Sequence, residues 1–143
     1  MMRKGISPLI AVIMLIAFTM IVAGILAGWA TQFVEQQRSE LALCSRAGIL
    51  IQRAYFGNGN LTLHIFNTGD VDLSGFSARL TYTSNTTGQR YTIPQRLGGL
   101  NVSSQNIQTY IIPANNTLYE FVLQSLQCKG AQDIIYKYDI EGL

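Results

Sequence analysis

Charge is scarce in this sequence: Asp, Glu, Lys and Arg make up only 13% of its 143 residues, and the formal net charge is +2. A nucleic-acid-binding domain concentrates Lys and Arg in a patch or stripe. No such run occurs, so no nucleic-acid partner is expected. Histidine is scarcer still, with His64 alone, and it falls in a segment that reads as a strand, where a surface or rim position suits it better than a role as base or ligand. Cys, His and carboxylates nowhere recur at metal-ligand spacing. Asp70 and Asp72 flank Val71 at a turn, and calcium would want more oxygen ligands than these two supply. Gly98-Gly99 reads as a loop, without the Lys and helix of a phosphate cradle. The expectation is a protein with no catalytic centre, cofactor or metal. Its length suits one domain with an appendage, not two full domains.

The missing charge is unevenly spread. From Gly5 to Val34 there is no Asp, Glu, Lys or Arg, and the run is bracketed by Arg3-Lys4 and Glu35. This one stretch accounts for the positive mean hydropathy of +0.22. About 20 apolar residues suffice to cross a bilayer as a helix. A cleaved secretory signal has an apolar region of only about 7–15 residues, too short to describe this run. The basic pair before it would hold the N-terminus on the cytoplasmic side and send the rest outward. Ser7 is a good N-cap, and Pro8 sits in the first turn where proline is tolerated. After Val34 the pattern turns amphipathic, and Gly48 is a plausible stop. A helix over residues 6–47 would be roughly 60 Å long, about twice the hydrocarbon thickness of a membrane. A simple anchor has no need of that second half; a stalk does. Within it, Ala23, Gly24, Ala27 and Gly28 form a small-residue seam that permits close helix packing, although small residues are common in membrane helices generally.

Beyond Gly48 the apolar period changes to two. Strands are expected at 49–56, 61–66, 77–83, 89–93, 105–112, 118–124 and 133–140, with turns at Gly57-Asn58-Gly59, Asn67-Thr68-Gly69-Asp70 and Asn85-Thr86-Thr87-Gly88. Six or seven short strands suggest a small antiparallel sandwich or barrel over residues 48–143. The fold class is therefore α+β. Tyr136 and Tyr138, beside Ile134 and Ile140, read as one face of the last strand, with adhesion by exposed aromatics a lesser alternative. Four sequons, at Asn60, Asn85, Asn101 and Asn115, all lie beyond the apolar run and suit an exterior location. Asn and Thr are also ordinary turn and strand residues. Cys44 and Cys128 fit a disulfide in an oxidising compartment, with two buried thiols as the alternative.

Arg3-Lys4-Gly5 followed by Ile6-Ser7-Pro8-Leu9-Ile10-Ala11-Val12 resembles the start of archaeal type IV pilin precursors. The close resemblance covers about residues 3–34, and beyond it only the architecture corresponds. It implies a leader of residues 1–5, removed by a prepilin peptidase between Gly5 and Ile6. It also implies a precursor held in the cytoplasmic membrane and a homopolymeric helical filament raised on the cell surface by pilus assembly machinery. Bacterial type IV pilins usually carry a glutamate where this chain has Ile10, which favours the archaeal branch. Archaellins, subunits of the rotating filament, begin similarly but typically lack the Ser-Pro pair and stand as an alternative. A solitary membrane-anchored surface binding protein is another.

Processing after Gly5 would remove Arg3 and Lys4, leaving eight basic against eight acidic residues and no formal side-chain charge. N-terminal sequencing of protein sheared from cells should begin at Ile6. Gly5→Leu should leave a full-length precursor in the membrane and no filaments, and abundant filaments from that variant would contradict the expectation.

Overall fold

The computed structural model describes residues 6–143, with side chains from Pro8 onward. The predicted leader, including Gly5, lies outside the described residues. The chain forms two compact units, one reaching to Leu41 and one spanning Ala42–Leu143. The first is the body of a single helix, α1 (Ile6–Cys44), whose final turn belongs to the second. Eight strands follow: β1 (Ile49–Gly57), β2 (Asn60–Asn67), β3 (Leu73–Thr83), β4 (Arg90–Val102), β5 (Ile107–Pro113), β6 (Leu118–Ser125), β7 (Gln132–Tyr136) and β8 (Ile140–Glu141).

The strands form a sandwich of two four-stranded sheets, ordered β5-β2-β1-β8 and β4-β3-β6-β7. All pairs are antiparallel except β1 with β8. Period-two alternation aims one side of each sheet inward. β2 buries Leu61, Leu63 and Ile65, while β3 buries Phe76, Ala78 and Leu80 against Phe121 and Leu123 of β6. The β1–β2 turn holds Asn58 and Gly59 at φ +53° and +75°, the left-handed pair that a two-residue hairpin loop requires. Tyr82 closes one end of the core beside Tyr91, with ring centroids 5.7 Å apart. Burial first, and the Tyr91 phenol second, raise the Tyr82 pKa above the ordinary tyrosine value.

Several expected boundaries move. The helix ends at Cys44, not Ala47: Arg46 and Ala47 donate to Leu43 and Cys44 carbonyls three residues back, and the chain then enters β1. Gly98-Gly99 belongs to the long β4 instead of a loop. The expected single strand over 133–140 breaks in two. β7 ends at Tyr136, a 3-10 turn (Lys137–Asp139) follows, and β8 joins the opposite sheet. Asp139 secures that turn by accepting a hydrogen bond from the Tyr136 amide at 3.1 Å. Tyr136 and Ile134 therefore lie on the outer face of the second sheet, Tyr138 projects from the turn at 89% exposure, and Ile140 is buried under the first sheet. A linear pattern of apolar residues does not record such a crossing.

One end of the sandwich carries the joint to α1. Cys44 in the last helical turn is disulfide-bonded to Cys128 in the β6–β7 loop, with Cα atoms 5.2 Å apart. The loop after β2 docks on the segment that leaves the helix. Thr68 donates to the Gly48 carbonyl at 3.1 Å and Asp70 to the Arg46 carbonyl at 3.0 Å. Gly69 fits because a Cβ there would collide with the Arg46 carbonyl. Asn67, wholly buried, holds this loop in place. Its Nδ2 donates to Val71 and Val102 carbonyls at 2.7 and 3.0 Å, and its Oδ1 accepts from the Gly69 amide at 2.9 Å. A second polar link joins the sheets: Asp133 Oδ2, from β7, accepts the Ile51 amide of β1 at 2.7 Å, beside the irregularity that shifts the β1–β2 register.

Two outcomes are expected. Peptide mass analysis without reduction should yield Cys44 linked to Cys128. Pairing residues 84 apart constrains the unfolded chain by on the order of 4–5 kcal/mol in the loop-entropy account, so reduction should lower the melting temperature by at least several degrees. Asn67→Ala strands two buried backbone groups and one part-buried carbonyl and should destabilise the β unit by about 2–3 kcal/mol, read in a urea titration. An Ala variant as stable as the native chain would show that Asn67 does not hold the loop.

Candidate functional site: the exposed helix

Among the described residues, the unit ending at Leu41 has no buried apolar side chain. Leu9, Ile10, Val12, Ile13, Met14, Leu15, Ile16, Phe18, Met20 and Ile21 are all exposed, as are Ile25, Leu26, Trp29, Phe33 and Val34. They point in every direction around the axis, so this is not the one-sided stripe of a surface helix. A helix apolar all round belongs inside a large core or a membrane. The span Pro8–Cys44 is long and apolar enough to cross one.

The few polar side chains in the run are made compatible with such surroundings. Thr19 donates its hydroxyl to the Ile16 carbonyl at 2.9 Å, and Thr31 donates to those of Ala27 and Gly28 at 3.1 and 2.9 Å. Both hydroxyls are spent on their own helix and ask nothing of a neighbour. Trp29 and Phe33, one turn apart, stack with centroids 5.6 Å apart. From Glu35 the helix carries Gln36, Gln37, Arg38 and Glu40, a polar length suited to water.

The small-residue seam at Ala23, Gly24, Ala27 and Gly28 lies on this exposed helix. A Cβ at Gly24 or Gly28 would meet open space. Glycine inside a helix costs about 1 kcal/mol relative to alanine, and nothing among the described residues requires it at either position. Ile6 opens the helix.

The other singled-out positions scatter over the β unit. All four sequon asparagines are exposed. Asn60, Asn85 and Asn115 sit at the turns opposite the disulfide end, where Ala114 donates to Gly59 and Thr83 to Thr117. Asn101 pairs with Ser74 near the disulfide end. Asn115 is partly engaged, its Oδ1 accepting from the Thr117 amide at 2.9 Å. His64 meets the Thr109 hydroxyl across β2 and β5 at 3.1 Å. Asp72 accepts the Ser104 amide at 2.7 Å and Asp70 the Gln105 amide group at 3.4 Å, so both carboxylates tie the 103–105 loop. Among the described residues no three His, Cys, Asp or Glu side chains gather as a metal site would need. Sequence reading missed Asn67 and Asp133 as fixing residues. Their polarity within apolar stretches was the available signal, but Val102, which Asn67 reaches across the sandwich, is 35 residues away, and Ile51, which Asp133 holds, is 82 away.

No protein-family model matches the chain, and no curated protein matches it in sequence. Among solved structures, the chain is similar to the solution structure of R. palustris CsgH, with 12% identity and a TM-score of 0.39, over 62% of this chain and 87% of that one. It is also similar to part of DesR, a β-glucosidase from Streptomyces venezuelae, with 8% identity and a TM-score of 0.33, over 63% of this chain and 15% of that one. Likeness at this level assigns no function to the chain.

Proposed function

We propose that this protein is the structural subunit of a surface filament of the archaeal type IV pilus kind, assembled through α1, with the β unit displayed outside the cell. The observation that carries this reading is a helix of 39 residues whose apolar side chains from Leu9 to Val34 lie on every side and are exposed. Each large apolar side chain gains about 1.5–3 kcal/mol on full burial, and seventeen occur between Ile6 and Val34. A membrane can cover them in the precursor. Once the helix leaves the membrane, copies of the same helix are the covering of matching chemistry. Repeated head-to-tail contacts that do not close give a helical filament. The seam around Gly24 and Gly28 then accounts for glycines that the isolated chain does not need, as the places where helices approach most closely.

The disulfide and the exposed sequons fit an exterior β unit, and the apolar helix with the disulfide fits a membrane-anchored or secreted protein. In this reading the chain performs no catalytic step and binds no cofactor. Its partners are further copies of itself, the membrane as precursor, and the peptidase and machinery that process and raise the subunit. The solitary-anchor alternative would retain Met1 or Met2 and needs neither the polar end of α1 from Glu35 nor the glycine seam.

Replacing Gly24 and Gly28 together with Leu keeps the helix apolar but holds neighbours apart. Electron microscopy of cells carrying this variant should show filaments lost while fractionation still finds the protein in the membrane. A chain starting at Ser39 keeps both cysteines and should be a soluble monomer by size-exclusion chromatography. If that shortened chain polymerised into native-like filaments, α1 would not be the assembly element.

A further inference from the structure

The outward side of the second sheet is unlike the rest of the β unit, and strand register shows its layout. Residues directly opposite one another share a face. One cross-strand row runs Arg96, Ser77, Gln124, Gln132; the next runs Pro94, Arg79, Val122, Ile134; a third runs Thr92, Thr81, Glu120, Tyr136. Arg90, opposite Thr83, begins a fourth and lies over the Tyr119 ring at 3.6 Å from its centroid. Tyr119 in turn meets Tyr136 edge-on at 6.4 Å. Arg79, Arg90 and Arg96 are all exposed, and their cross-strand partners are Pro94, Val122, Thr83 and Ser77, none of them acidic. Glu120 is the one carboxylate on the face.

We propose that this face binds an acidic polysaccharide, a chain of sugars bearing carboxylates. The three arginines follow the length of β3 and β4, so an extended polyanion can meet them in succession. A guanidinium pairs with a carboxylate through two parallel hydrogen bonds, a geometry that lysine cannot match. Tyr136 is 42% exposed and offers a ring for the apolar side of a sugar together with a phenol for its hydroxyls. Thr81 and Thr92, whose hydroxyls lie 3.0 Å apart, add donors and acceptors beside it. Glu120, opposite Tyr136 on this face, can accept hydrogen bonds from the free hydroxyls of a sugar. The proposal rests on the filament reading only in needing the β unit to face outward, and it is tested without filaments.

The test uses the full-length chain in detergent and immobilised polygalacturonate, with neutral dextran and single-stranded DNA as comparison polymers. Binding to polygalacturonate and not to dextran is expected. Removing two arginines together, Arg79→Gln with Arg96→Gln, should weaken it by about tenfold or more. Tyr136→Ala should weaken it severalfold at unchanged net charge, and circular dichroism should show both variants folded. No binding to polygalacturonate, or binding to DNA at least as tight and indifferent to Tyr136→Ala, would overturn the proposal. It would also be overturned if the arginine variant lost filaments on cells while keeping polygalacturonate binding, since the face would then be an interface between copies.

Discussion

The constraint on which the first unit of this molecule depends is that its apolar helix cannot remain bare in water. A helix with one apolar stripe is satisfied by lying on its own domain. Here the apolar residues encircle the axis from Leu9 to Val34, and no single surface could cover them all. The covering must surround the helix, as lipid does and as a bundle of identical helices does. The two differ in what they reward. Lipid accommodates any apolar outline, whereas helix packing rewards small residues at crossings, such as those that Ala23, Gly24, Ala27 and Gly28 place side by side.

The β unit solves a separate problem, and its solution is complete without the helix body. Both sheets turn an apolar side inward, and the core is continuous from Ile49 to Ile140. Its polar exceptions are paired: Asn67 makes three hydrogen bonds, Ser125 accepts the Cys128 amide, and among the described residues no buried side-chain N or O lacks a partner. What the β unit needs from α1 is its last turn, held by the Cys44–Cys128 bond and by the loop that Gly69 lets approach.

The outer surfaces divide the remaining tasks. Three sequon asparagines lie exposed at or beside the turns opposite the joint. The second sheet's outer side gathers arginine, tyrosine and threonine, while the first sheet's exposes Leu50, Tyr55, Ile107 and Ile111 around Arg53 and His64.

The sequence by itself determined the class of the molecule, because its two periodicities are strong and local. A charge-free run has to be a helix in an apolar setting, and the alternation in segments such as 61–66 and 77–83 has to be strands with one side buried. The turns at Asn58-Gly59 and Asn85-Thr86-Thr87-Gly88 were legible for the same reason, since their chemistry acts within four residues. Tertiary structure alone decided which strands are neighbours. The sheet orders β5-β2-β1-β8 and β4-β3-β6-β7, and the break that sends Ile140 to the opposite sheet from Ile135, arise from contacts between segments far apart in the chain. The arginine face has the same origin. Arg79, Arg90 and Arg96 are isolated residues in the sequence, and they come together only because β3 and β4 pair in a register that aims all three outward.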